Sequence, residues 1–228
     1  MNLIQNVCKN ILKSTSESQG HGKSIELNIQ RCIFNLSDDI IKTYKQNDIH
    51  DIRDIHNKYS YCMNKNISIK TTTRNMIDCG DILRFLNSEN TDMICIAMKQ
   101  RDENIKEAKK TIYFNIDELL NKFWESINIS RDIYLLNIKD YVNHVKEVPK
   151  KTKTRDLKIN KKLYETKMFK IRPKPSQNRV QCAINLNELS DLKSYKIFDG
   201  GTFFDKSYDK EIESCRRKRN YLKIKEQL

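Results

Sequence analysis

Apolar positions along the chain recur first with a helical and then with a strand period. From Ser24 the residues Ile25, Ile29, Ile33, Phe34, Leu36, Ile40 and Ile41 keep helical spacing and predict one helix, with Ser24, just after Gly22 and Lys23, as its N-cap. Upstream, Leu3, Ile4, Val7, Ile11 and Leu12 predict a short amphipathic helix that runs into a polar loop. Within 48–73 the period shifts to two. Ile67, Ser68, Ile69 and Lys70 alternate, and Tyr59, Ser60, Tyr61 and Cys62 precede them, so two adjoining strands are expected. After Gly80 the segment from Asp81 to Asn87 predicts a short helix. The unbroken apolar run from Met93 to Met98 has the pattern of a central strand covered on both faces.

Ile112, Phe114, Ile116, Leu119, Leu120, Phe123 and Trp124 predict a strand followed by a helix that starts near residues 115–118. Residues 172–176, with Pro173 and Pro175, read as an extended linker into a strand over 179–186. Strands interspersed with helices give an α/β fold class with a central mixed β-sheet flanked by helices.

Composition supports a folded chain. Of 228 residues 38% are hydrophobic, with only five Gly and three Pro, which excludes collagen-like and flexible-linker readings. No run of 18 or more uncharged apolar residues occurs, so no membrane-spanning helix is expected. The amino terminus lacks the continuous apolar block of a secretion signal. The expected location is therefore the cytoplasm, of a bacterium or of a virus-infected cell, and not the exterior. Seven cysteines, odd in number and without a CxxC pair, argue against a zinc ribbon or a disulfide framework, and most are expected to be buried thiols.

Charge adds a partner. Lys and Arg number 43 against 30 Asp and Glu, a net +13, and an excess of that size suits a polyanion whose counterions are released on binding. The excess is concentrated: residues 146–174 hold twelve basic side chains against three acidic ones. The expected organisation is a core over 1–145, including the N-terminal helices, and a basic DNA-binding part over 146–228 packed on it. Lys150, Lys151, Lys153 and Arg155 would meet the backbone. Arg172, Lys174, Asn178, Arg179 and Gln181 can also address base edges, since Arg pairs with guanine and Asn or Gln with adenine.

The chemistry-bearing residues occur in an order that makes sense mechanistically. A helix carries Glu26, a polar segment carries Asp51 and Asp54, and an alternating strand ends in Lys70. Hydrolysis of a phosphodiester needs hard oxygen ligands for Mg²⁺ beside the scissile phosphate and a cation to orient water and stabilise developing charge. The absence of GxxxxGK[ST], GxGxxG, GxSxG and HExxH argues against P-loop, dinucleotide-binding, α/β-hydrolase and zincin chemistry.

On these residues the chain resembles the PD-(D/E)xK nuclease superfamily, and more narrowly its type II restriction endonucleases. Gly22-Lys23-Ser24-Ile25-Glu26 is similar to their first core helix with its inward Glu, and Ser68-Ile69-Lys70 to their acid-x-Lys strand. The resemblance covers residues 22–125 and includes the segment from Thr71 to Phe85. It implies a restriction-endonuclease-like fold, a Mg²⁺ cofactor held by Asp54 and Glu26, and Lys70 as the catalytic lysine. It also implies Ser68 at the position of the second acid, and a homodimer cutting double-stranded DNA at a specific sequence. Ser68 departs from the pattern, because a hydroxyl is a poor Mg²⁺ ligand beside a carboxylate.

Rival readings stay open. A basic nucleic-acid-binding protein without catalysis would show the same charge, and a scaffold with incidental basicity is a third reading. His50 and His56, bracketing Asp51 and Asp54, admit a His general base as in ββα-metal nucleases, although the zinc-knuckle cysteine pairs are missing. Asp51, Asp48 and Asp39 compete with Asp54 for its role, Asp78 and Asp81 suit a turn and an N-cap, and Gln100 either touches phosphate or ends its strand.

Overall fold

The computed structural model of the chain describes residues 13–15, 20–44, 50–101, 105–157 and 159–205. The helix expected over 3–12, Asp48, Cys8, Cys215 and the basic tail at 215–220 lie outside the described residues. Two compact units emerge. One draws on Met1–Thr73, Thr91–Tyr113 and Lys196–Leu228, the other on Arg74–Asn90 and Phe114–Tyr195. They are interleaved along the chain, in contrast to the single boundary expected after residue 145.

The first unit is built on a mixed sheet flanked by helices. Strands β1 (Lys13–Thr15), β5 (Ile105–Asn115), β4 (Thr91–Gln100) and β2 (Asn66–Thr72) lie in that order, and β8 (Lys196–Asp199) also pairs with β5. β2 runs parallel to β4, from Asn66 opposite Thr91 to Thr72 opposite Ala97, while β1 and β8 are antiparallel to β5. Residues 91–96 are all buried, as the continuous apolar run predicts for a central strand. Ile67 and Ile69 of β2 join Ile94 and Ile96 of β4, Ile25 and Ile29, and Phe198, Phe203 and Phe204 in one core cluster.

The single helix expected over 24–41 is broken. Helix α1 spans Gly20–Asn28, so Ser24 lies inside it and is not its N-cap. It passes into a π-helical turn at Ile29–Ile33, and Asn35 then adopts a left-handed φ of 54°. Ser37 restarts the chain as the N-cap of α2 (Asp38–Thr43), its Oγ accepting from the Ile40 amide at 3.3 Å. Apolar spacing alone runs through this break because Ile40 and Ile41 of α2, though only partly buried, pack against the same cluster as Ile25 and Ile29, whereas a tolerated αL Asn and a strong capping Ser set the boundary.

Residues 59–62 likewise form no strand. They make a 3₁₀ turn at Ser60–Cys62, pinned by wholly buried Asn57. Its Oδ1 accepts from the Tyr59 amide at 3.0 Å, and its Nδ2 donates to the carbonyls of Cys62 at 2.6 Å and Lys65 at 2.9 Å. A side-chain amide that satisfies three backbone groups displaces the ladder that aromatic β propensity favours.

In the second unit β3 (Met76–Asp81), β7 (Arg179–Asn185) and β6 (Phe169–Lys174) form an antiparallel sheet in that order. Its apolar face meets α3 (Ile82–Leu86) and α4 (Ile116–Ser126), where Phe85 and Phe123 place their rings 6.1 and 4.6 Å from that of Phe169. Both helices start where expected: Asp81 caps α3, and Asn115 caps α4 by accepting from the Glu118 amide at 2.9 Å. Gly80, at φ 83°, absorbs the bulge between β3 and β7, a conformation that L side chains avoid.

The expected linker at 172–176 is instead half of a β-hairpin. Pro173 is tolerated because β6 is an edge strand, Pro175 opens a 3₁₀ turn, and Asn178 at φ 49° closes it. Helix α5 (Arg131–Glu147), not anticipated from the pattern, buries only Tyr134, Ile138, Val142 and Val145, one residue per turn. A short helix, α6 (Lys161–Tyr164), follows it. No helix among the described residues is long and apolar enough to cross a membrane.

Candidate active site

The candidate site lies in the first unit, around a cavity of about 680 Å³ whose lining includes Lys23, Glu26, Gln30, Arg31, Tyr44, His50, Asp51 and Lys70. Its inner wall is set by α1 lying close on β2. A Cβ at Gly22 would come within 3.2 Å of Thr71 Oγ1, so glycine is what permits the approach. One turn later Ile25 enters the core while Glu26 next to it meets the cavity. Lys70 comes from β2, where alternation puts it on the face opposite Ile67 and Ile69.

Asp51 is the carboxylate that joins them. Its amide donates to the Ile67 carbonyl at 2.8 Å, and Ile52 beside it makes an antiparallel bridge with Ile67. Its Oδ2 accepts from the Ile69 amide and stands 3.3 Å from Lys70 Nζ. Lys70 Nζ also donates to the Ile69 carbonyl at 3.0 Å. Gln30, four residues beyond Glu26 and only 2% exposed, donates from Nε2 to the Asp51 carbonyl. Gln30 Oε1 is buried without a hydrogen-bond partner.

Electrostatics mark Glu26. Burial pushes its carboxyl up to about 8, the charge of Asp51 and a hydrogen bond to it act in the same direction, and Lys70 and Lys23 only partly oppose the rise. Among the described residues no group of three or more His, Cys, Asp or Glu is placed to hold a metal. Any cation here would rest on two carboxylates, amide or backbone carbonyls and water.

The remaining expected site residues fall elsewhere. Asp54 begins a 3₁₀ turn, its Oδ1 accepts from the Ile55 amide at 2.7 Å, and it does not line the cavity. Asp51, three residues earlier in the same segment, lines it instead. Ser68 shares a strand face with Lys70 but is wholly buried, its Oγ without a partner, and it too is absent from the lining.

His50 Nε2 is bonded to Thr91 Oγ1 at 2.9 Å and His56 Nδ1 to Tyr44 Oη at 2.8 Å. Asp39 lies exposed in the first turn of α2, and Gln100 ends β4. Asp78 pairs with Arg172 at 2.9 Å. Gln30 is the residue that sequence reasoning missed, and Asp51 stood among the candidates without being chosen over Asp54. The signal for Gln30 was its i,i+4 spacing from Glu26, and for Asp51 its position next to an isoleucine that the core requires.

Of the expected DNA-binding residues, Lys150, Lys151, Lys153 and Arg155 lie exposed between α5 and α6. Arg172, Lys174, Arg179 and Gln181 lie on the β6–β7 hairpin and Asn178 at its tip. No protein-family model matches the chain, and no curated protein and no solved structure matches it either.

Proposed function

We propose that the protein is a Mg²⁺-dependent endonuclease that cleaves double-stranded DNA at a specific sequence, a divergent restriction-endonuclease-like member of the PD-(D/E)xK type acting as a homodimer. One observation carries the reading: Glu26 from a helix, Asp51 from a bridge beside a strand, and Lys70 from that strand converge on one cavity. In this reading Asp51 takes the role that the sequence pattern gave to Asp54. The dimer follows from cutting both strands of a palindrome, where two-fold symmetry of protein and site coincide.

The residues present fit Mg²⁺. Glu26 and Asp51 are hard oxygen donors held against their mutual repulsion, and the unpartnered Gln30 Oε1 is a third oxygen at the same wall. Mg²⁺ is commonly bound through one or two carboxylates while keeping several waters. When bound, it would polarise the scissile phosphate and lower the pKa of water. The protein supplies the rest. The Ile69 and Ile67 backbone fixes Asp51, and Gln30 holds its carbonyl. Lys70 presents an ammonium 3.3 Å from Asp51, where it can orient the attacking water and stabilise charge on the phosphoryl oxygens. Lys23, Arg31 and Lys42 in the lining add positive potential for the DNA backbone.

The test is digestion of unmethylated plasmid and phage DNA in Mg²⁺ and in EDTA. Discrete fragments are expected only with Mg²⁺. Asp51→Asn and Lys70→Ala should each lower the rate by about 10²-fold or more, and Asp54→Asn should leave it within a few fold. DNA that stays intact in Mg²⁺ but shifts on a gel would leave a binding protein without catalysis. Fragments lost with Asp54→Asn and kept with Asp51→Asn would overturn the site.

A further inference from the structure

In strand β6 buried and open positions alternate without exception. Phe169, Ile171 and Pro173 are buried, and Lys170, Arg172 and Lys174 share the opposite face. The register places Ala183, Gln181 and Arg179 of β7 beside these three, and Asp78 and Asp81 of β3 on the far side of Ala183 and Gln181. Both carboxylates are already engaged. Asp81 accepts from the Arg84 amide at 3.1 Å, and Asp78 holds Arg172 Nη1 at 2.9 Å. Lys170 leans toward Glu165 at 3.8 Å. Toward the tip the face is purely cationic and polar, with Lys174 opposite Arg179, and Arg179 Nε bonded to the exposed Gln177 at 2.8 Å.

The dimensions of this ribbon suit one class of partner. β3 runs beside β7 only as far as Gln181, so toward the tip β6 and β7 continue as a two-stranded antiparallel ribbon, of a width that the DNA major groove admits. The rungs Arg172/Gln181 and Lys174/Arg179 are two residues apart, about 7 Å along the strands. That separation is roughly two base-pair steps at 3.4 Å each. Arg172 is half-open and is tied through one nitrogen to Asp78, so its guanidinium is held in one orientation with further donors available. Ordering an arginine in advance removes much of the entropic cost of a bidentate contact. Gln181, nearly buried on the central strand, forms the floor beside it.

We propose that the outer face of the β6–β7 hairpin reads base edges in the major groove of duplex DNA. Arg172 contacts a guanine, Asp78 is its positioning residue, and Lys174 and Arg179 contact phosphates at the tip. The proposal rests on the reading of double-stranded DNA as the substrate, and it does not depend on cleavage.

The experiment is selection of full-length protein on a randomised 20-base-pair duplex library in EDTA, followed by sequencing of the retained DNA. Arg172→Lys, Asp78→Asn, Lys174→Ala and Arg179→Ala are run beside the natural chain, with each variant's melting temperature as a check on folding. The natural protein should enrich a motif containing a guanine. Arg172→Lys should flatten the preference at that one position by roughly ten- to a hundredfold. Asp78→Asn should flatten it partly. Lys174→Ala and Arg179→Ala should weaken all sequences alike and each lower the salt slope by about one.

A folded Arg172→Lys protein that enriches the same motif with the same contrast overturns the hairpin assignment and leaves sequence-specific DNA binding standing. Binding without any enrichment, or a preference for single-stranded nucleic acid, overturns the hairpin assignment together with sequence specificity. No retention of duplex DNA removes DNA as the partner altogether.

Discussion

At Glu26 burial and a second carboxylate act together, which gives a linkage with a definite sign. The folded chain keeps a proton on Glu26 up to about pH 8, whereas the unfolded chain releases it near 4.5. Between those values the folded state binds more protons, so this group's contribution is fully present below pH 4.5 and is lost as pH rises toward 8. In EDTA, thermal unfolding should therefore show a fall in stability over pH 5–8 that Glu26→Gln removes. A Mg²⁺ ion at the site would displace that proton, so its apparent affinity should rise by up to about tenfold per pH unit below pH 8. Calorimetric titration in buffers of different ionisation enthalpy would detect the released proton. Glu26 and Lys70 were legible because a helix and an alternating strand fix which way each side chain points. Asp51 and Asp54 were not separable, since they share a segment without a period. The difference between them lies in Ile52, whose pairing with Ile67 is a tertiary fact.

Among the elements, the short connections show where pattern reading gave out. β2, β4, α3 and α4 announce themselves by period, capping residue and apolar face. The 57–65 connection does not, because one buried amide organises it. Asn57→Ala would remove the bonds that its side chain makes to the carbonyls of Cys62 and Lys65 and to the Tyr59 amide. Losing hydrogen bonds to buried groups costs about 1–3 kcal/mol each, and remaining partners and water offset part of it, so a loss of at least about 2 kcal/mol is expected by urea denaturation. Asn57→Asp should recover only the acceptor half. The β6–β7 hairpin hid for a related reason, since two prolines read as a linker until the edge position of β6 is known. Helix α5 was obscured differently. Ile133 and Leu136 are exposed apolar residues that blur the stripe on its buried side.

For the whole molecule the main fact is that the chain enters and leaves each unit more than once. The first unit's sheet needs β8, which pairs Ile197 with Ile112, and its core needs Phe203 and Phe204. Phe203 is wholly buried among Tyr59, Tyr61, Tyr113 and Phe198, and its carbonyl accepts from Tyr59 Oη at 2.8 Å. Phe203→Ala should cost about 3–5 kcal/mol, seen as a lower urea midpoint with an unchanged slope. A chain ended after Tyr195 should fail to give a cooperative transition for the first unit. The composition foretold a folded core and the order of strand and helix patterns the α/β class, but neither foretold the interleaving, because pairing across tens of residues leaves no local trace.

That interleaving also sets an order of events at the ribosome. Helix α1, Asp51 with the Ile52 bridge, and β2 emerge well before Phe203 and Phe204, and the hydrophobic cluster that they share stays incomplete until those two have followed. The other unit ends at Tyr195 and has all its segments earlier. A nascent chain therefore holds the side chains that line its cleft long before it holds the last aromatic residues of the cluster that packs against them.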